Sequence, residues 1–340
     1  MTTKQQQINL RGRRGLPSAI RYSHHKTWLG DQGGTPHTRR LGNNIRLGAA
    51  SGGAPYEVYV TCQGVLWDGK GVIPGSPETI AKLKALGKRV FYVTNNSSKT
   101  RKEYVLQCQK FGFDATEEEF ASTSYVSALY LKNLDFKDKV YVVGNPAMAT
   151  ELDACGIKYT GIGPDPLHGN LDDWLKMELD PQVKCVLVGF DSHLSYMKIM
   201  KAATYLQNPD CLFLATNEDT HLPVNNCPIR IPGTGTMVKA VAWPAQREPV
   251  VMGKPEPSMF EVLRKTHGLD PARTVMVGDR LNTDIGLAKV CGLKSLLVLT
   301  GVAKMSDLPK NNVEKSCGVG DCSELPDLYT SSLGNLGAFI

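Results

Sequence analysis

Short apolar runs without polar alternation recur along the chain from residue 58 onward. They are rich in Val, Leu, Phe and Tyr, which is typical of strands buried on both faces of a parallel sheet. The predicted strands are Val58–Val60, Val90–Val93, Val140–Val143, Val186–Val188, Leu212–Leu214, Val250–Met252, Val275–Val277 and Leu296–Leu299. Helical segments separate these runs, so the pattern predicts an α/β fold with a parallel sheet.

The first two predicted helices carry start and stop signals. Ser76 followed by Pro77 predicts a helix with Ser76 as N-cap and Pro77 at the first helical position, and Gly87 ends it. The next helix is predicted from Thr100–Phe111 and is ended by Gly112. In parallel sheets whose strands are connected by helices, ligands bind at the edge formed by the carboxyl ends of the strands.

Three polar segments follow predicted strands and therefore lie at that edge. They are Thr94–Ser98, Gly253–Pro255 and Gly278–Asp284. Within the last segment, Asp279 follows a buried strand and a Gly, where a lone carboxylate is costly without a cation. Carboxylate oxygens suit Mg²⁺. The alternative for Asp279 is a capping role at the start of the next helix.

In their order and spacing, these segments resemble motifs II, III and IV of the haloacid dehalogenase (HAD) phosphatases. The resemblance covers residues 64–335 and is greatest to the branch with a large inserted cap, which includes 4-nitrophenylphosphatase, pyridoxal phosphatase and phosphoglycolate or glycerol-3-phosphate phosphatase. It implies a parallel-sheet, Rossmann-like core from residues 56–134 and 249–340. Residues 135–248 would form an inserted α/β cap domain, through which relatives of this kind often form homodimers.

The resemblance also assigns roles to the polar residues. Asp279 would bind Mg²⁺, with Asp284 in support. Lys254 would pair with the phosphate and with the nucleophile as a point charge. The phosphate cradle would consist of the Thr94 hydroxyl and the backbone of Asn95 and Asn96. The alternatives are an ordinary surface lysine at Lys254 and a plain Asn-rich turn at residues 94–98.

The chain departs from the family at motif I. The family pattern is Asp-x-Asp-Gly, whereas this chain reads Thr61-Cys62-Gln63-Gly64. In the family, the first Asp attacks phosphorus to form an aspartyl phosphate, and the second acts as acid and then base. Thr61 has no evident base beside it, and Gln63 cannot exchange a proton at neutral pH. The backbone carbonyl of Gln63 could still coordinate Mg²⁺.

The loss of both carboxylates predicts a nearly inactive enzyme. By analogy with the removal of a nucleophile elsewhere, turnover should fall by on the order of 10⁴- to 10⁶-fold. Three functions stay open. The first is an Mg²⁺-dependent phosphatase of small esters such as 2-phosphoglycolate or glycerol 3-phosphate. The second, favoured for this polypeptide, is a non-catalytic protein that binds such esters. The third is a nucleic-acid-binding protein led by a basic arm.

The resemblance to the family begins abruptly at Gly64, and the codons before it suggest a reason. Thr61-Cys62-Gln63 can be encoded by ACC TGC CAG, which resembles the end of an intron. We therefore hypothesise that the residues before Gly64 come from intron sequence or an alternative first exon, in a splice isoform or a misassembled gene. Val58–Val60 could still fill the central strand by composition.

Two cap residues are weak candidates for substrate contacts. His193 could touch the substrate, although a structural role is favoured. Leu222 and Pro223 stand where the pyridoxal phosphatase relative has His-Pro, which favours a phosphoglycolate-type substrate.

Charge and cysteine content limit the remaining possibilities. Residues 1–55 hold nine of the 39 Lys and Arg and a single acid, Asp31. This predicts a disordered basic arm, with nucleic-acid binding or an organelle transit peptide as alternatives. Nine cysteines without a Cys-x-x-Cys pair favour reduced thiols and a cytoplasmic, otherwise mitochondrial, location. No apolar run has the length of a membrane span, so no membrane partner is expected.

Overall fold

The computed structural model describes residues 39–40, 56–222, 228–308 and 325–340 of the 340-residue chain. The predicted basic arm of residues 1–55 lies outside these ranges apart from Arg39–Arg40. Its disorder, its transit-peptide alternative and its nucleic-acid alternative therefore stay predictions.

A seven-stranded sheet forms the larger layer, and every neighbouring pair in it is parallel. In spatial order its strands are β1 (Arg39–Arg40), β14 (Leu328–Thr330), β13 (Lys294–Val298), β12 (Thr274–Gly278), β2 (Glu57–Thr61), β5 (Arg89–Thr94) and β6 (Phe120–Ser122). All five residues of β2 are buried between β12 and β5. The predicted parallel α/β core is confirmed, and the segment before Gly64 fills its central strand.

A second parallel sheet has five strands. In spatial order they are β11 (Val250–Val251), β10 (Leu212–Ala215), β9 (Val183–Val188), β7 (Lys139–Val143) and β8 (Lys158–Thr160). A hairpin of β3 (Trp67–Asp68) and β4 (Gly71–Val72) follows β2. The division of the chain at residues 135 and 249 stays a prediction, and β11 pairs with the second sheet although it was assigned to the core.

The described residues form ten α-helices. They are α1 (Ser76–Ala85), α2 (Arg101–Lys110), α3 (Thr123–Asn133), α4 (Pro146–Ala154), α5 (Leu171–Leu175), α6 (Tyr196–Tyr205), α7 (Thr234–Ala245), α8 (Ser258–His267), α9 (Gly286–Cys291) and α10 (Leu333–Leu336). None of the helices in these ranges is long and apolar enough to cross a membrane.

The predicted helix starts are right in one case and shifted in the other. Thr100 is the N-cap of α2 and forms a reciprocal capping box with Glu103. Ser76, in contrast, is the first residue of α1 and Gly75 is its N-cap, in a left-handed conformation with φ 78°. The Ser76 hydroxyl donates 3.3 Å to the carbonyl of Val65 instead of capping its helix.

The hydrophobic core lies on both faces of β2 because side chains alternate along a strand. Val58 and Val60 pack on one face in a cluster with Ile80 and other residues. Tyr59 packs on the other face, in a cluster that continues through the first sheet to Val142 of β7. The two sheets therefore share one continuous apolar core.

Candidate functional site

The predicted site residues meet in one cleft of about 680 Å³ at the carboxyl ends of β2, β5 and β12. The predicted residues that line it are Thr61, Gln63, Thr94, Asn95, Asn96, Leu222, Lys254, Asp279 and Asp284. Parallel strands end at the same edge of a sheet, which is why Thr61 of β2 and Asp284 after β12, 223 positions apart in the chain, come together here. Lys254 reaches the cleft from β11 of the second sheet.

A buried triangle of hydrogen bonds joins the three innermost side chains. The Lys254 ammonium donates 2.7 Å to Asp284 Oδ1 and 2.8 Å to Thr61 Oγ1. The Thr61 hydroxyl donates its own proton to Asp284 Oδ1 at 2.8 Å. All three residues are less than one-tenth exposed. The expectation that no base lies beside Thr61 is therefore wrong, because the Asp284 carboxylate accepts a hydrogen bond from the Thr61 hydroxyl.

Asp284 is nevertheless occupied on both oxygens. Its Oδ2 accepts 3.1 Å hydrogen bonds from the backbone N–H groups of Asp279 and Arg280. A full proton transfer would turn Asp284 into a neutral acid and Thr61 into an alkoxide beside the Lys254 ammonium. Because a hydroxyl is a far weaker acid than a carboxylic acid, the proton stays on Thr61. The arrangement positions Lys254 and holds the Thr61 hydroxyl in place.

Among the buried carboxylates of the described residues, Asp279 has the fewest hydrogen-bond donors. Its Oδ2 accepts a 2.9 Å hydrogen bond from the Val302 N–H. Burial, followed by the charge of Asp284, raises the pKa of Asp279 to about 6, although the charges of Arg280 and Lys254 lower it in part. A cation bound beside Asp279 would offset both the cost of its burial and the repulsion from Asp284, so this carboxylate favours cation binding.

The backbone packs closely around Asp279. A side chain at Gly64 would place its Cβ 2.5 Å from Asp279 Oδ2, and Gly64 has φ +82°. A Cβ at Gly301 would lie 2.0 Å from the same oxygen. Glycine at these two positions lets main chain from two loops approach the carboxylate.

These residues fit a divalent cation with a reduced ligand set. Asp279 offers a carboxylate, and Gln63 lines the cleft with its backbone carbonyl as the remaining predicted ligand. Position 61 offers a hydroxyl in place of a charge. Within the described ranges, no group of three or more acidic, His or Cys side chains could hold a metal. We expect any cation here to bind more weakly than in a site with a third carboxylate.

Asn95 fixes the backbone of Lys254 from two sides. Its Oδ1 accepts 2.8 Å from the Lys254 N–H, and its Nδ2 donates 2.9 Å to the Lys254 carbonyl. The same amide donates 3.1 Å to Asp219 Oδ1 of the loop after β10. Asn217 of that loop donates 2.7 Å to the Asn95 carbonyl. The Asn95 side chain is therefore a positioning group, a role that the predicted backbone cradle did not include.

The other two motif II residues differ in how they are engaged. Thr94 is buried, and its hydroxyl accepts 3.2 Å from the Asn96 N–H. The Asn96 side chain is exposed and accepts 2.8 Å from the Ser98 N–H. Thr94 lines the cleft, and its side chain also hydrogen-bonds the Tyr104 hydroxyl.

Of the two weak candidates for substrate contacts, one lines the cleft and the other does not. Leu222 lines the cleft, together with Phe190 and Asp219. His193 is exposed and does not line it, and its backbone N–H donates 2.8 Å to Asp191 Oδ1. The structural role favoured for His193 stays a prediction. Pro223 lies outside the described residues.

Several cleft residues were not anticipated. They are Lys99, Asn217, Asp219, Arg280, Thr300, Val302 and Lys304. Arg280 follows Asp279 directly, so the position after the acidic residue could have indicated it. Lys99 likewise follows the segment Thr94–Ser98 directly. The others come from segments without a motif, and only the folded chain brings them to the cleft.

Comparison with known proteins identifies relatives over most of the chain. Residues 58–158 match the haloacid dehalogenase-like hydrolase family, and residues 251–324 match an HAD-hydrolase-like family. Glycerol-3-phosphate phosphatase of Rattus norvegicus is 47% identical over 285 residues, 81% of this chain and 88% of that protein. Chloroplastic phosphoglycolate phosphatase 1A of Arabidopsis thaliana is 41% identical over 81% of this chain and 74% of its own.

A solved structure gives the same fold. Glycerol phosphate phosphatase of Mycobacterium tuberculosis, determined in complex with magnesium, superposes with a TM-score of 0.66. It is 25% identical, over 83% of this chain and 76% of that one.

Proposed function

This chain belongs to the haloacid dehalogenase-like hydrolase family, and we propose that its cleft binds the phosphate group of small phosphate esters while hydrolysing them far more slowly than its relatives. The observation that carries the proposal is the triangle of Thr61, Lys254 and Asp284. It keeps a buried ammonium at the cleft and puts a hydrogen-bonded hydroxyl where the family has its nucleophile.

The binding half of the proposal rests on preorganised donors. Lys254 lines the cleft with its backbone clamped by Asn95, so its ammonium needs little reorganisation to meet a phosphate oxygen. The Thr94 hydroxyl lines the same cleft. Charge-assisted donors of this kind are the strong hydrogen bonds to phosphate.

The slow-turnover half rests on positions 61 and 63. An aspartyl-phosphate mechanism needs a carboxylate nucleophile and a second carboxylic acid for the leaving alcohol. Thr61 supplies a hydroxyl whose proton is held by Asp284, and Gln63 supplies an exposed amide that does not exchange protons at neutral pH. A non-catalytic ester-binding protein is the outcome that these residues favour.

We further propose Mg²⁺ as the cation, held by Asp279 and the Gln63 carbonyl with Asp284 in support. When bound, Mg²⁺ would neutralise charge on the phosphate oxygens. The support is the buried Asp279 carboxylate, which has a single donor on Oδ2. The relative from Mycobacterium tuberculosis was solved with magnesium.

The substrate class follows the relatives. Phosphomonoesters such as 2-phosphoglycolate and glycerol 3-phosphate are the ligands that we propose, because two relatives above 40% identity are named for phosphatases of these esters. The homodimer through the cap also stays a proposal, and light scattering of the purified chain tests it.

The test is phosphate release from 2-phosphoglycolate with Mg²⁺. We compare the chain with its Thr61→Asp/Gln63→Asp double variant and expect the double variant to be faster by on the order of 10⁴-fold. Calorimetric titration of both proteins with 2-phosphoglycolate measures binding separately. Adding Asp279→Asn to the double variant is the control, and it should abolish the restored activity.

Each half of the proposal has its own contradicting result. Turnover by the unaltered chain at a rate near that of the double variant would contradict the slow-turnover half. A chain that folds but shows no heat with 2-phosphoglycolate would contradict the binding half.

A further inference from the structure

The acidic side chains that line the cleft already have partners. Asp284 binds Lys254, and the Asp219 carboxylate accepts the Asn95 amide at 3.1 Å. Asp68 accepts 2.7 Å from the backbone N–H of Lys70 in its own hairpin. Asp279 is the remaining acid and is directed inward, at 3% exposure. Asp68 and Asp219 keep their negative charge because their donors are neutral, but among the described residues no carboxylate of the cleft forms an ion pair with Arg280 or Lys304.

Two of the basic side chains at the same cleft are engaged as well. Lys254 is the buried phosphate cation. Lys99 donates 2.9 Å to Gln107 Oε1 and lies 5.8 Å from the ring centroid of Tyr104. The other two, Arg280 and Lys304, form no ion pair with any residue in the part of the chain that the structure describes. Arg280 is half-buried and Lys304 is exposed.

These two cations project from neighbouring backbone. Ala303, which precedes Lys304, donates its N–H 2.9 Å to the carbonyl of Asp279, which precedes Arg280. The Arg280 N–H also binds Asp284 Oδ2, while the Lys254 ammonium binds Oδ1 of the same carboxylate. The Asp284 carboxylate thus bridges the Lys254 ammonium and the backbone N–H of Arg280.

We propose that Arg280 and Lys304 form a second anion subsite in this cleft, which selects phosphate esters that carry a further acidic group. The ligand class is a phosphorylated carboxylic acid with a short carbon chain, over a phosphorylated polyol. A guanidinium offers two parallel N–H donors to a carboxylate, and an ammonium beside it adds charge. The inference rests on the proposed phosphate binding and adds the group that reads the rest of the ester.

The test compares three ligands by calorimetric titration in the presence of Mg²⁺: 2-phosphoglycolate, glycerol 3-phosphate and inorganic phosphate. Arg280→Met and Lys304→Met remove each charge while keeping a long side chain. We expect each variant to weaken 2-phosphoglycolate binding roughly three- to tenfold, as for half-exposed ion pairs. Binding of glycerol 3-phosphate and of phosphate should change less than twofold.

The controls separate a subsite from a general field. Lys158→Met removes an exposed charge on β8 that lies outside the cleft and forms no ion pair within the described ranges, and it should leave all three affinities unchanged. Arg280→Lys should restore part of the loss, which a folding defect would not. Equal weakening of all three ligands, or no weakening of 2-phosphoglycolate by either variant, overturns the subsite. If the unaltered chain binds none of the three ligands, phosphate binding itself has failed and the subsite falls with it.

Discussion

At the scale of single residues, Asp279 opposes the folding of the metal-free protein. Its pKa is about 6 in the folded protein against an ordinary 3.8, chiefly because it is buried. The folded state then binds this proton more tightly than the unfolded chain, so its contribution to stability falls as pH rises between about 4 and 6. Above pH 6 the Val302 N–H and the charges of Arg280 and Lys254 offset the buried charge only in part unless a cation binds.

We expect Asp279→Asn to raise the free energy of unfolding by about 1–3 kcal/mol at pH 7.5 in the absence of divalent cations. Near pH 4 the gain should disappear, because Asp279 is protonated there in the folded protein. Urea unfolding of both proteins with a chelator, at pH 4.5, 6 and 7.5, measures the difference. Added Mg²⁺ should stabilise the unaltered protein alone. A variant that is less stable at pH 7.5 would contradict the expectation.

At the scale of elements, the strands that the sequence predicted are those buried on both faces. The run Val58–Val60 lies within β2, and Val275–Val277 lies within β12, because continuous apolar runs specify a central strand without further information. Strands β6, β8 and β14 have only three residues each and were missed. Their pairing is set by neighbours in the sheet and not by their own pattern.

The central strand also shows what composition cannot supply. Tyr59 is fully buried on β2, yet its hydroxyl has no hydrogen-bond partner among the described residues. An unsatisfied buried hydroxyl costs about 1–3 kcal/mol. Glu57 at the start of β2 is buried and needs Arg89, 2.6 Å away, to offset its charge. The segment fills the strand with apolar surface, but its polar atoms are not fully accommodated.

The site was predictable where a motif follows a strand and unpredictable where loops meet. The positions of Thr94 and Asp279 follow from strand ends of the first sheet, whereas Lys254 follows β11 of the second sheet. The clamp of Asn95 on Lys254, in contrast, depends on two loops whose approach only the folded chain determines. Arg280 lies directly after Asp279 and could have been indicated by it, whereas Lys304 comes from a segment without a motif.

The Asn95 clamp joins three loops, and its loss should affect both stability and binding. Asn95→Asp keeps the shape but removes the donor that reaches Lys254 O and Asp219, leaving oxygen facing oxygen. We expect a loss of about 2–3 kcal/mol in the free energy of unfolding and weaker phosphate binding. Asn96→Asp is the matched control: the side-chain oxygen keeps its hydrogen bonds from Ser98, and the other contact is the Tyr104 hydroxyl, which can donate to a carboxylate. Equal effects at the two positions would refute the clamp.

At the scale of the whole molecule, the two sheets are joined by a polar contact as well as by apolar packing. Arg101, at the start of α2, donates 2.8 Å from its backbone N–H and 2.8 Å from Nε to Glu151 of α4. Its guanidinium lies 3.8 Å from the ring centroid of Tyr125. Glu151 is 3% exposed, so it depends on this partner.

Because one apolar cluster extends from Tyr59 of the first sheet to Val142 of the second, we expect both to unfold in a single cooperative transition. Arg101→Met leaves the Glu151 carboxylate buried without its cation and should lower the free energy of unfolding by about 3 kcal/mol. Lys137→Met breaks an ion pair that is 78% exposed at the lysine and should change it by less than about 0.5 kcal/mol. Calorimetry and urea unfolding followed by far-UV circular dichroism test both. Two separate transitions in the unaltered chain would mean that the two sheets unfold independently. The contact between Arg101 and Glu151 would then not couple their stabilities.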